Sequence, residues 1–338
     1  MPDLSTSEPS ASALMDGFGR LHDNLRISVT DRCNLRCVYC MAEEVTFLDR
    51  EHLLRFEEIE QFARVALSLG LTKLRLTGGE PLMRRDLPRL VALLAAIPGL
   101  RDISLTTNGL LLAGQARALF DAGLRRINIS LDTLDDERFR LITRREGLYA
   151  TLAGIDAALH AGFHPVKVNA VIVRGLNDQD IVPLAKKART DGYEMRYIEY
   201  MPIGAEPWER HKVVLAHEIL DTLEAAIGPL QPVADYDPRH PAMEFEYVDG
   251  GGRVGIIASV SRPFCRSCNR LRLTCDGKLR ACLFALEETD IKPYLRNPFD
   301  PQRLKQAIRA CVAGKWQGHE INTARFIKPL RTMHAIGG

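Results

Sequence analysis

Several absences narrow this chain before any motif is read. No apolar run reaches membrane length: the longest, from Leu90 to Leu100, is interrupted by Pro98, whereas a spanning helix needs roughly 20 apolar residues. No membrane partner is expected. The opening MPDLSTSEPSASALMDGFGR has neither a basic start nor an apolar core, so no secretory signal is read there and a cytoplasmic location is expected. Charge of one sign is not in excess. Lys plus Arg is 45 and Asp plus Glu is 43, a net +2. A dedicated nucleic-acid surface carries a strong basic excess, so no nucleic-acid partner is expected. Eight cysteines are few for 338 residues, which excludes a disulfide scaffold, because those are short and cysteine-dense.

The cysteines that are present fall in groups: 33, 37 and 40, then 265, 268, 275 and 282, then 311 alone. Clustered thiols in a reducing compartment read as metal ligands or redox groups before they read as disulfides. The first twenty residues, rich in Ser, Ala and Pro, read as a mobile tail.

From residue 25 to about 230, β-type runs alternate with helical patterns. The strand candidates are 25–30, 73–78, 102–108, 126–132, 166–173 and 195–201. Amphipathic stretches at 56–70, 87–97, 151–162 and 179–192 lie between them. Six such units imply a parallel α/β sheet with right-handed crossovers. Strands covered on both faces read as continuous apolar runs, but these alternate. Arg26, Ser28 and Thr30 oppose Leu25, Ile27 and Val29; Lys73 and Arg75 oppose Leu74 and Leu76; Ser104, Thr106 and Asn108 oppose Ile103 and Leu105. Asn128, Ser130 and Asp132, then Lys167 and Asn169, continue the polar parity. The apolar face packs helices; the polar face must meet water or a ligand, because unpaired buried charge is costly. The expectation is an incomplete (β/α)6 barrel of the TIM type with a wet interior. After the turn-rich QPVADYDPRHP the pattern changes to two hairpins and a helix around 301–313. This reads as a small C-terminal α+β module that closes the barrel.

Three motifs carry chemistry. Cys33-Asn-Leu-Arg-Cys37-Val-Tyr-Cys40 follows the first strand directly, at the strand end where α/β barrels place active sites. Three thiolates on one loop suit three irons of a four-iron cluster, or a zinc ion with a fourth ligand from elsewhere. Thr77-Gly78-Gly79-Glu80-Pro81 ends the second strand; its glycines permit close backbone approach, and Glu80 offers a carboxylate to an amino group. Cys265-Arg-Ser-Cys268, followed after 13 residues by Cys282, repeats the three-thiol arrangement on a hairpin. Cys275 is a rival ligand there. Arg270 and Arg272 share one strand face beside Cys268.

The C-x3-C-x2-C loop and the Gly-Gly-Glu-Pro turn together resemble the radical S-adenosylmethionine (SAM) superfamily. Residues 26–41, 75–86, 106–112, 121–132 and 165–169, the C-x2-C-x13-C group and the terminal Gly-Gly narrow the resemblance to the branch that rearranges GTP at the first step of molybdenum cofactor biosynthesis. The resemblance implies two [4Fe-4S] clusters and SAM as cofactors. By position it assigns Cys33, Cys37 and Cys40 to the SAM cluster and Cys265, Cys268 and Cys282 to a second one. It assigns Tyr39, Gly79, Ser130 and Met201 to SAM, and Arg26, Arg75, Thr106, Lys167, Arg270 and Arg272 to GTP, with Lys73 and Arg196 as further candidates. Gly337 and Gly338 would thread into the channel and act in catalysis. Cys275 and Cys311 become packing residues. The implied division is a tail over 1–20, a radical SAM partial barrel over 21–230 and an auxiliary-cluster module over 231–338. Implied partners are an electron donor and a downstream cyclic pyranopterin monophosphate synthase, and a homodimer is compatible with the pattern. Two other readings stand beside it: a radical SAM enzyme acting on a peptide, and a zinc-binding module without catalysis.

Overall fold

Alternating parity builds the sheet. The computed structural model describes residues 13–205, 207–296 and 298–338. Six parallel strands pair in chain order: β1 (Asn24–Ser28), β2 (Lys73–Thr77), β3 (Asp102–Thr107), β4 (Arg126–Ser130), β5 (Val166–Ile172) and β6 (Glu194–Glu199). The register puts Ile27, Leu76, Leu105, Ile127 and Val166 in one row, each buried under the helices. One residue back along the strands, Arg26, Arg75, Ser104 and Arg126 form the next row, on the opposite face.

The helices that cover the apolar face are α1 (Phe56–Leu67), α2 (Leu87–Ala95), α3 (Ala116–Asp121), α4 (Asp136–Thr143), α5 (Leu148–Ala161), α6 (Ile181–Asp191) and α7 (Ala216–Ala226). In α1 the buried Phe56, Ile59, Phe62, Ala63 and Ala66 recur at helical spacing. Glu57, Glu60 and Arg64 take the other side, with Arg64 pairing Glu60 one turn away at 2.7 Å. No described helix is long and apolar enough to cross a membrane.

The C-terminal strands do not form a sheet of their own. β7 (Leu230–Pro232), β8 (Met243–Tyr247) and β9 (Arg253–Ile257) extend the edge at β6, with β9 parallel to it. β10 (Arg270–Leu273), β11 (Lys278–Arg280) and β12 (Thr289–Asp290) extend the other edge, with β10 parallel to β1. The result is one twelve-stranded sheet in the order β12-β11-β10-β1-β2-β3-β4-β5-β6-β9-β8-β7. Among the described residues no ladder joins β12 to β7, so the barrel is incomplete, and the last hundred residues extend both of its edges. Arg272 thereby joins the polar row beside Arg26. Two short helices, α8 (Lys292–Leu295) and α10 (Met333–Ile336), flank α9 (Pro301–Ala313) in sequence; α9 packs on α1.

The first twelve residues of the expected mobile tail lie outside the described residues. Between Leu14 and Arg20 the chain is anchored through the buried Leu14, Asp16 and Arg20, while Met15 and Phe18 are exposed. Met15 bridges Leu21, and the Arg20 guanidinium donates to the carbonyls of Cys265, Trp316 and Gln317 at 2.7, 2.6 and 2.8 Å.

Candidate active site between two thiol triads

The polar row and both cysteine groups meet in one cavity, with about 2470 Å³ of empty space counting its open mouth. Arg26, Arg75, Thr106, Arg270 and Arg272 line it, as do all six triad cysteines. Tyr39, Gly79, Ser130 and Met201 line it too. The C-terminal strands complete this wall, which is why the second cysteine group faces the first.

The first triad sits on the loop after β1. That loop is held from below by the Gly-Gly turn. Gly79 N–H donates to Thr30 O at 2.7 Å, and Glu80 N–H donates to Arg32 O at 2.7 Å. A Cβ on Gly78 would lie 2.6 Å from Thr30 O, and one on Gly79 would lie 2.4 Å from Arg32 O. The glycines therefore serve backbone-to-backbone packing against the cysteine loop. Glu80 does not line the cavity. Its carboxylate accepts from Thr107 Oγ1 and Asn108 N–H, each at 2.7 Å, and from Leu82 N–H at 2.9 Å. Burial nonetheless pushes its pKa up to about 7.

Burial also pushes the Cys33 thiol up to about 11 and Cys40 up to about 12, and raises Cys37 well above its ordinary value. Cys37 is raised further by Cys40 and Asp132. Tyr39 donates its hydroxyl to Asp132 Oδ2 at 2.6 Å, and Val171 N–H donates to Oδ1 at 2.8 Å. Burial pushes Asp132 up to about 6 against these bonds. A Cβ on Gly204 would fall 2.2 Å from Tyr39 O, so the loop after β6, which carries Met201, rests directly on the cysteine loop.

The second triad has the opposite surroundings. Cys265 and Cys268 precede β10 and Cys282 follows β11. Burial would raise Cys268, but Arg270 and Lys315 outweigh it and bring the thiol down to about 6. Arg270 reaches Cys268 Sγ at 3.7 Å and Lys315 Nζ at 3.4 Å. Cys265 is raised by burial. Cys275 is buried away from the cavity lining.

The donor sets test what each triad could hold. In a tetrahedral zinc site with Zn–S of about 2.3 Å, neighbouring sulfurs lie about 3.8 Å apart. Among the described residues neither triad brings its three sulfurs within 4.8 Å of one another. That spread suits a polynuclear cluster better than one ion. Buried thiols raised this far also need a cation at hand to lose their protons.

The cations fall into two classes. Lys167 is held by Glu194 at 2.5 Å and Glu244 at 3.5 Å and does not line the cavity. Arg196 lines it but pairs with Glu244. Lys73 pairs with Asp23 at 3.8 Å, and Arg126 with Asp102 at 2.8 Å. By contrast, Arg26, Arg75, Arg270 and Arg272 have no carboxylate partner among the described residues. Burial first, then repulsion from Arg272, Arg270 and Arg75, lowers Arg26 well below its usual value; burial and Arg270 bring Arg272 to about 9, and burial with Arg196 and Arg126 brings Arg75 to about 10. A partly buried cluster of one sign without carboxylate partners suits an anion.

The terminal glycines enter this cavity. Arg272 donates to Gly337 O. Gly337 has φ +92, and a Cβ there would meet Thr77 Oγ1 at 2.6 Å and Ser28 Cβ at 2.9 Å. Gly338 lines the cavity. Upstream on the same tail, the backbone of His334 works against the rise of the Cys40 thiol.

Sequence reasoning did not single out Asp132, His334 or Lys315 as site residues. Asp132 carried a usable signal, since it continues the polar parity of Asn128 and Ser130.

The chain's comparison with known proteins agrees with this geometry. Residues 27–188 match the model of the Radical SAM superfamily, and residues 193–321 match that of Molybdenum Cofactor Synthesis C. A GTP 3′,8-cyclase of Rhodopirellula baltica is 46% identical over 331 residues, covering 96% of this chain and 92% of that one. The GTP 3′,8-cyclase of Moorella thermoacetica is 47% identical, covering 96% of this chain and 100% of that one. Among solved structures, Streptococcus suis SuiB bound to S-adenosylmethionine superposes with a TM-score of 0.59 at 15% identity, covering 94% of this chain and 78% of that chain. At that identity the likeness is one of fold.

Proposed function

Because the chain belongs to the GTP 3′,8-cyclase family of the radical SAM superfamily, we propose that it converts GTP to (8S)-3′,8-cyclo-7,8-dihydroguanosine 5′-triphosphate, the first step of molybdenum cofactor biosynthesis. The observation that carries the reading is the set of four arginines without counter-ions, placed between two open thiol triads in one cavity. When bound, a [4Fe-4S] cluster with SAM supplies the 5′-deoxyadenosyl radical that takes the ribose C3′ hydrogen.

The chain's own residues do the rest. Cys33, Cys37 and Cys40 would hold the SAM cluster, whose fourth iron a protein thiol does not take. Tyr39, Gly79, Ser130 and Met201 border the SAM space, and Asp132 fixes the Tyr39 ring through its hydroxyl. Cys265, Cys268 and Cys282 would hold a second [4Fe-4S] cluster on the guanine-binding side. Arg26, Arg75, Arg270 and Arg272 bind the triphosphate, for which forked guanidiniums suit bidentate contact. Thr106 borders the same space. Lys167 reaches GTP once Glu194 or Glu244 releases it. Held between the two triads, C3′ and C8 face each other, so the protein catalyses ring closure by positioning. Gly337 and Gly338 fill the gap beside Arg272 and set its guanidinium. The enzyme works in the cytoplasm, takes electrons from a separate donor and passes its product to a cyclic pyranopterin monophosphate synthase. A homodimer is compatible with this scheme.

Anaerobic incubation with SAM, a reductant and either GTP or a peptide tests the reading. Deoxyadenosine release coupled to a cyclised nucleotide with GTP alone supports it. Release driven by the peptide and not by GTP would overturn it in favour of peptide chemistry.

A further inference from the structure

Lys315 is a buried ammonium whose partners all belong to one stretch of chain. It is 5% exposed. Its Nζ donates to Arg270 O at 2.8 Å and reaches Cys268 Sγ at 3.4 Å and Cys268 O at 3.5 Å. Among the described residues no carboxylate pairs with it. The charged groups it feels most are the thiols of Cys268 and Cys282, with Arg270 opposing them.

The position is built rather than incidental. Lys315 follows α9, whose buried Leu304, Ile308 and Val312 anchor it in the core. The next two carbonyls, of Trp316 and Gln317, are gripped by Arg20, which also holds the carbonyl of Cys265. Asp16 fixes that guanidinium at 2.6 Å and also contacts His22 at 3.0 Å. Residues 16–22 thus fasten the loop carrying the lysine to the loop carrying the first cysteine of the second triad. Beside the first triad the cation is Arg36, which donates to the Cys33 carbonyl at 2.8 Å, and the other charged side chains named there are Asp132 and Glu80.

We propose that Lys315 is the fixed positive charge of the second triad: a positioning residue, clamped by Arg20, that sets the reduction potential of the cluster held by Cys265, Cys268 and Cys282. The inference rests on the reading of that triad as a cluster site. Reduction adds one negative charge to a cluster. A cation a few ångströms from a ligating sulfur, in a poorly screened interior, favours the reduced form and raises the potential. Lysine suits the task because its charge is compact and it has three donors, used here to tie one ammonium to a sulfur and two carbonyls.

The test uses the whole chain, reconstituted anaerobically, with iron counted and each cluster followed by electron paramagnetic resonance during redox titration. Wild type should carry about eight irons, as two four-iron clusters require. About four would defeat the second-cluster reading itself, before any variant is compared. Lys315→Met should keep about eight irons and move the midpoint of the second cluster to a more negative potential, while the first cluster stays in place. Lys315→Arg should leave both midpoints near wild type. An unmoved second midpoint in a fully loaded Lys315→Met protein would overturn the proposal. If Lys315→Met fails to load, a loaded Lys315→Arg variant with a near-native midpoint supports the charge. A Lys315→Arg variant that fails equally would reduce Lys315 to packing and overturn it.

Discussion

The two thiol triads use the same three donors and face the same cavity, yet they sit in opposite fields. Cys33, Cys37 and Cys40 come from one loop of eight residues, with buried Glu80 and Asp132 close by, and burial raises all three thiols. Cys265, Cys268 and Cys282 are gathered from both ends of a hairpin, with Arg270, Arg272 and Lys315 around them, and Cys268 is brought down to about 6. Donor identity is thus shared, while surrounding charge differs. On the proposed reading the basic surroundings suit a triphosphate, and the acidic ones suit SAM, which carries a sulfonium.

The sharpest way to break this comparison is to remove one sulfur from each side. Cys37→Ala should abolish both deoxyadenosine release and cyclisation. Cys282→Ala should leave the first cluster assembled, by iron content and spectrum, while cyclisation is lost. Cyclisation retained in Cys282→Ala would remove the second triad from the mechanism. A smaller effect separates the two classes of cation. Arg272→Ala deletes an arginine without counter-ion, a change on the order of 3–4 kcal/mol, or roughly 10²–10³ in kcat/KM for GTP. Lys167→Ala removes a cation already neutralised by Glu194 and Glu244 and should cost about tenfold or less, about 1.4 kcal/mol. Equal losses would show that pairing in the free protein does not rank the contacts.

Gly337→Ala tests the tail that touches both sides. A Cβ 2.6 Å from Thr77 Oγ1, on a residue at φ +92, adds a clash to about 1–2 kcal/mol of backbone strain. Turnover should fall at least about tenfold, with both clusters loaded. Unchanged turnover would deny the tail a role.

The smallest effect lies in the acidic surroundings of the first triad. The folded pKa of Glu80 is raised from 4.5 to about 7. Its protonated form is therefore favoured by folding. That stability is complete below about pH 4.5 and is lost as pH rises through 7. Melting temperatures of the cluster-free chain should fall over this window in wild type and stay flatter in Glu80→Gln. Parallel curves would mean that its three hydrogen bonds hold the carboxylate charged throughout.

Much of this was legible in the sequence, because parity is a local signal. Six strands, their polar face and the three-cysteine loop follow from spacing between near neighbours. The register row of Arg26, Arg75 and Ser104 is the direct outcome of that parity. The short helices α3 and α4 were not read, since six to eight residues give too few turns for a period to show. Pairing across the chain was not legible either. Nothing local tells β10 to join β1, or Arg20 to seek Cys265, 245 residues away. Glu80 was read as facing a ligand, but its oxygens are taken by β3 and the turn after β2, partners chosen by the fold. Lys167 was assigned to GTP and Arg196 was a further candidate, and Glu244, from a strand added at the far edge, takes hold of both.

The pairing of β1 with β10 also has a consequence in time. The chain is made from its N-terminus at roughly 5–20 residues per second. The 246 residues that separate Asp23 from Asn269 therefore take about 12–50 s to emerge. From the emergence of β2 (Lys73–Thr77) to the end of that interval, β1 has β2 on one side and a bare edge on the other, with unpaired N–H and C=O groups. The Cys33–Cys40 loop is already complete, while the second triad does not yet exist. A nascent chain of this design therefore meets its iron–sulfur donors at two separate moments, and during the first it depends on whatever shields the open edge of its first strand.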